Sequence, residues 1–91
     1  MTGYLAYSLS GHDKGKVYLI IREEQDYVYL SDGAVRTIDR LKKKNKKHIQ
    51  IIKKKGRRTD VDSVTNEEIK YQIKQYCKDI QEVKNVKVRC N

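Results

Sequence analysis

SGHDKGKVYLII, residues 10–21, decides how the rest of the chain can be read. Its first half, GHDKGK, is polar and framed by Gly11 and Gly15, which accept positive φ and let the backbone reverse tightly. Its second half, Val17 to Ile21, is the longest apolar run in the chain. Side chains alternate along a strand, so Val17, Leu19 and Ile21 face one way and Tyr18, Ile20 and Arg22 the other. A strand with two apolar faces belongs in the middle of a sheet. The turn should therefore join it to an earlier strand, Tyr4 to Ser10, and display His12, Asp13, Lys14 and Lys16 at its tip.

Outward from this hairpin, Glu23 to Asp26 has the composition of a second turn, and Tyr27 to Leu30 of a returning strand that ends at Asp32 and Gly33. Ala34 to Ile38 is expected as a fourth strand. His48 to Ile52 is expected as a fifth, with Ile49 and Ile51 on one face and Gln50 and Ile52 on the other. Short strands in such quick succession, without proline, favour a small antiparallel barrel over an open sheet with exposed edges. The period then changes. Thr65 and Glu68 make a T-x-x-E capping box, and Ile69, Ile73, Tyr76, Cys77, Ile80 and Val83 fall on one side of a helix.

The expected fold is mainly β with one C-terminal helix. A five-stranded barrel occupies residues 1–52, including a basic segment at 36–52, and a charged linker follows at 53–64. An amphipathic helix at 65–83 docks on the barrel, and the tail 84–91 alternates weakly, as an added edge strand or a frayed end.

Charge is concentrated in one segment. Residues 36–58 hold 12 Lys or Arg against a single acid, Asp39, a net +11, while residues 1–35 carry −2 and residues 59–91 carry zero. Like charges gathered this closely repel, so a partner outside the chain is expected to neutralise them. A polyanion suits, because every phosphate met by Lys or Arg releases condensed counterions whatever the sequence. A solvated basic loop without a dedicated partner is the plainer alternative.

Leu, Ile, Val and Phe make up 22 of 91 residues, above the roughly 20% below which a highly charged chain stays disordered. No apolar run approaches the ~20 residues that span a bilayer, and the N-terminus shows no export leader, so a cytoplasmic, monomeric protein without membrane contact is expected. Cys77 and Cys90 are too few for a disulfide framework and are expected to be reduced thiols.

The glycine-framed turn in SGHDKGKVYLII, the second apolar strand with its acid-glycine turn in DYVYLSDG, and the basic LKKKNKKHIQ that follows together resemble KOW-domain proteins. The likeness is to the KOW-containing large-subunit ribosomal proteins of archaeal and eukaryotic type and their short bacterial RNA-binding relatives. It covers roughly residues 3–52, and TNEEIKYQIKQY, residues 65–76, is similar to the helix that follows in the bacterial relatives. The resemblance implies an SH3-like barrel that contacts RNA, usually ribosomal RNA or the large ribosomal subunit, through its loops and basic extension. Family roles would fall on Gly11, Lys14, Gly15 and Lys16, and on the basic segment with Asn45 and His48. No proline accompanies the lysine run here, unlike in many relatives.

The candidate phosphate clamp is then Lys42, Lys43, Lys44, Lys46, Lys47, Lys53, Lys54, Lys55, Arg57 and Arg58, led by Arg36 and Arg40 and joined by Lys14 and Lys16. His48 is placed either to stack on an unpaired base or to cover the barrel rim, and His12 either to meet RNA or simply to face solvent. Tyr18, Tyr27 and Tyr29 offer either a stacking surface or packing. Lys70, Lys74 and Lys78 form a row beside the helix's apolar stripe that is a second basic face or a solvated one.

Residues 11–17 do not make a phosphate-binding loop, being one residue short and carrying Val17 where Ser or Thr should hold magnesium. Asp60 and Asp62 read as partners of nearby arginines or as solvated charges, not as metal ligands. No nucleophile, base and orienting acid assemble from the Ser, His and Asp present, so neither catalysis nor a cofactor is expected. The expected function is RNA binding. The alternative is a protein-interaction module of the kind seen in KOW domains of transcription elongation factors.

Overall fold

Val17–Glu23 is the middle strand of a five-stranded antiparallel sheet, as its two apolar faces require. In this computed structural model, which describes residues 1–52 and 59–81, the strands are β1 (Leu5–Ser8), β2 (Val17–Glu23), β3 (Tyr27–Ser31), β4 (Lys42–Asn45) and β5 (Ile49–Ile52). Their spatial order is β4-β3-β2-β1-β5, and a single helix, α1 (Asn66–Gln81), follows.

β4 and β5 are the outer strands, yet only the 3₁₀ turn Lys46–His48 separates them in the chain. A flat sheet would hold them roughly 19 Å apart, at ~4.8 Å per strand. Four residue steps of 3₁₀ geometry reach only about 8 Å. The sheet must therefore curl until its two outer strands approach each other at residues 45–49. Among the described residues no ladder joins β4 to β5, so the sheet is open where a closed barrel was expected.

Curling divides the apolar residues into two clusters. Ala6, Tyr18, Ile20, Val28, Leu30 and Ile49 fill the concave side, with Ile51 packed against them. On the convex side Val17 and Leu19 meet Ile69, Ile73 and Cys77 of α1, together with Val64 and the partly buried Leu5, Tyr7, Ile52 and Tyr76. The helix thus docks on the outer face of β2, and Ile49 and Ile52 point to opposite faces as their alternation indicates. The Thr65 hydroxyl accepts from the Glu68 N–H at 3.2 Å, which caps the helix where the T-x-x-E pattern placed its start.

Two features depart from the alternation read in the sequence. A β-bulge at Ile21 shifts the register, so that Ile20 opposes Leu30 but Arg22 opposes Tyr29. Arg22 consequently lies on the outer face with Tyr29, not on the inner face with Tyr18 and Ile20. The second departure is the fourth strand, which is the lysine run at 42–45 and not Ala34 to Ile38. Asp32 draws the earlier stretch into a loop: its Oδ1 accepts from the N–H groups of Ala34 at 2.9 Å and Arg36 at 2.8 Å. The Ser31 hydroxyl adds a bond to the Arg36 carbonyl at 2.7 Å, leaving this backbone unavailable for a ladder.

That loop is also where the helix is seated. Asn66 accepts from the Ile38 N–H at 2.9 Å, and Gly33, at φ +74°, lies so close that an added Cβ would run into the Asn66 carbonyl oxygen and meet Lys70 at 3.0 Å. Residues 59–64, expected as linker, are anchored as well. The Thr59 N–H donates to the Gly3 carbonyl at 2.8 Å, its hydroxyl to Gln72 at 2.7 Å, and Val61 and Val64 join the convex cluster.

Gly11 and Gly33 give a direct comparison, since both have positive φ but only Gly33 faces backbone. Gly11→Ala should cost about 1–2 kcal/mol of left-handed strain. Gly33→Ala should cost more, at or above ~3 kcal/mol, because the helix must also be displaced. Urea midpoints of the two variants check this order.

Candidate nucleic-acid interface

β4 brings its lysines into two different environments. Lys44 opposes Val28 and Lys42 opposes Leu30, so both lie on the concave side above fully buried apolar residues. Their alkyl stems can cover that surface while the ammonium groups reach the mouth of the curl. There they converge on Asp13: Lys44 Nζ lies 2.7 Å from Oδ1 and Lys42 Nζ 3.1 Å from Oδ2. Ser8 Oγ donates to Oδ1 and the Tyr18 hydroxyl to Oδ2, each at 2.9 Å.

Asp13 is only 8% exposed, so the turn does not display it as the sequence suggested. The turn folds inward because its backbone is tied to β1 and to itself, with Gly15 N–H donating to the Ser8 carbonyl at 2.7 Å and Lys16 N–H to the Asp13 carbonyl at 2.9 Å. Burial alone would raise the Asp13 pKa, but the bonds from Lys44, Lys42, Ser8 and Tyr18 outweigh it and hold the carboxyl well below the usual range. Burial and the bond to Asp13 push the Tyr18 phenol in the opposite direction, above its ordinary value.

Other cations of the expected clamp are also paired. Lys16 turns back to Asp32 at 2.8 Å, and Lys46 reaches Glu23 at 2.7 Å, where the Met1 amino group binds as well at 3.0 Å. Burial opposes ionisation of Asp32, but Lys16 and the two loop N–H groups prevail and lower its pKa. Asn45 is a cap, its Oδ1 accepting from the Lys47 N–H at 2.9 Å. His48 Nδ1 lies 3.0 Å from Ser10 Oγ, and its carbonyl accepts from Leu9, so it ties the 3₁₀ turn to the end of β1.

Lys14, Arg36, Arg40, Lys43 and Lys47 are exposed and make no ion pair among the described residues. All adjoin β4: Arg36 and Arg40 lead into it, Lys43 projects from it, Lys47 follows it, and Lys14 belongs to the turn whose Asp13 it holds. Lys53, Lys54, Lys55, Arg57 and Arg58 lie outside the described residues. His12 is exposed, as are Lys70, Lys74 and Lys78 on α1.

The three tyrosines considered for stacking are separated. Tyr18 is buried on the concave side, while Tyr27 and Tyr29 lie on the convex face. Arg22 sits 4.9 Å above the Tyr29 ring and Lys43 4.3 Å above the Tyr27 ring. Asp60 accepts from the Asp62 N–H at 3.0 Å, and among the described residues no group of His, Cys, Asp and Glu is arranged to hold a metal ion. No described helix is long and apolar enough to cross a membrane.

The sequence reading missed Asp13, Asp32 and Glu23 as acids that neutralise the basic residues. One signal was available: if the lysine run is a strand, Lys42 and Lys44 share a face and require a common partner. In comparison with known proteins, the chain matches no family model and no curated protein.

Asp13→Asn should cost about 3 kcal/mol, since it leaves two ammonium groups facing a neutral amide, while Lys43→Gln should leave stability within ~0.5 kcal/mol. The depressed carboxyls of Asp13 and Asp32 contribute stability that is complete above their unfolded pKa near 4 and is lost as pH falls from there toward their folded values. Denaturation of wild type and Asp13→Asn between pH 2 and pH 7 should therefore show a shallower acid loss in the variant.

Proposed function

We propose that this protein is a non-catalytic RNA-binding protein, of the KOW type in its barrel, that contacts ribosomal RNA as a ribosomal-protein-like or ribosome-associated factor in the cytoplasm. The observation that carries the reading is the incomplete neutralisation around β4. Acids of the chain take up Lys16, Lys42, Lys44 and Lys46, while Lys14, Arg36, Arg40, Lys43 and Lys47 stay exposed, and KKKGRR follows β5 directly. Internal pairing leaves the net charge of +9 unchanged, and the surface excess favours an anionic partner.

The sheet supports the finer assignment. Five antiparallel strands whose outer members are joined by a short 3₁₀ turn make a strongly curled sheet, and closure between those outer strands would yield an SH3-like barrel. In the mechanism, the Asp13 cluster fixes β4, and β4 together with the Asp32 loop sets the positions of the exposed cations. They neutralise phosphates as point charges, which favours contact with the backbone over reading of base edges.

The test uses cations with no part in folding. Replacing Lys14, Arg36, Arg40 and Lys47 together by Gln should leave the circular dichroism spectrum unchanged and reduce the salt slope of RNA binding by about 3, at ~0.7 per phosphate. Wild-type protein should sediment with ribosomes at low salt and be released at high salt. An unaltered slope, or protein that stays soluble at low salt, would instead favour the protein-interaction module.

A further inference from the structure

The convex face carries a row in which one of the exposed cations, Lys43, lies beside two tyrosines. Arg22 opposes Tyr29, Tyr29 opposes Lys43, and Tyr27 lies on the same face two residues before Tyr29. Among the described residues, helix α1 packs on the Val17 and Leu19 end of this face and not on Tyr27 or Tyr29. The two rings are not equivalent. Tyr29 is held at its hydroxyl, which donates to Glu24 at 2.6 Å, and Glu24 also pairs with Arg22 at 3.6 Å. Tyr27 is 40% exposed, its hydroxyl makes no hydrogen bond among the described residues, and the Lys43 ammonium lies over its ring.

We infer that Tyr27 is a stacking platform for an unpaired RNA base, with Lys43 as a cation that leaves the ring for the adjacent phosphate when the base arrives. This rests on the RNA-binding reading and narrows its ligand to single strands. The chemistry matches a nucleotide part for part. An aromatic face takes the base, and a mobile ammonium beside it takes the charge. A stacked base is the stronger occupant of the ring, because an exposed ammonium over a tyrosine is only weakly held. Lys43 loses no ion pair in the exchange, since it makes none among the described residues. Glu24, whose carboxylate also attracts Lys43 from beyond ion-pair distance, is already engaged by Arg22 and Tyr29 and so opposes the incoming phosphate less. The bulge at Ile21 makes the arrangement possible by moving Arg22 to the outer face, where it steadies Tyr29 beside the platform.

The experiment compares wild type, Tyr27→Leu and Tyr27→Phe for binding a labelled single-stranded 12-nucleotide RNA and the same RNA as a duplex, by fluorescence anisotropy over a salt series. Tyr27→Leu should lose about tenfold on the single strand, with the salt slope unchanged, and nothing on the duplex, while Tyr27→Phe binds as wild type. In the unmodified protein, the single strand but not the duplex should shift the Tyr27 ring protons upfield in NMR spectra, a readout that needs no variant. Wild type that binds neither RNA would overturn the proposed function and this inference with it. Wild type that binds while Tyr27→Leu is equal to it, or weakened alike on both RNAs, would overturn the platform and leave the function standing.

Discussion

Two ammonium groups meeting one buried carboxylate decide where the lysine run can go. Lysine is a poor strand former, and Lys42 and Lys44 on a single strand face would repel each other over an apolar interior. Asp13 removes that obstacle and at the same time joins three parts of the chain, because its remaining bonds come from Ser8 on β1 and Tyr18 on β2. A charge pair of this kind adds little when compared with well-packed apolar residues, but losing one member is costly. Its effect is thus to specify position. With the lysines held at the mouth of the curl, β4 pairs with β3, and the 3₁₀ turn then carries the chain across to β5.

The elements visible in the sequence are those whose signals are local. Two apolar faces on Val17 to Ile21 identify the central strand, and Thr65 with Glu68 marks the helix start, because each pattern involves neighbouring residues. The 34–38 stretch misled because Val35 and Ile38 suggest a strand, while the group that prevents one, the Asp32 carboxylate, acts through backbone bonds that composition does not reveal. The bulge at Ile21 likewise has no marker such as glycine. Asp13 and Lys44 are 31 positions apart, so only the folded chain shows that the acid of the turn belongs to the basic run. The candidate cations were readable as a group, but their division into paired and exposed members was not.

Register makes that division. Lys42, Lys43 and Lys44 are chemically identical, yet strand alternation sends the first and third to Asp13 and the second to Tyr27. A run of like charges in a strand therefore carries two functions in alternation, one turned inward and one outward. In the 3₁₀ turn that follows, Lys46 is likewise held by Glu23 while Lys47 faces solvent. Counting charges overstates the capacity to bind an anion wherever such a run has secondary structure.

Among the described residues β4 also terminates the sheet, and a terminal strand offers unpaired amides to any passing chain. A strand written as Lys-Lys-Lys-Asn brings its own electrostatic deterrent, because a second copy approaching in register would place ammonium groups against ammonium groups. The residues that hold the molecule's shape thus also oppose edge-to-edge pairing at β4.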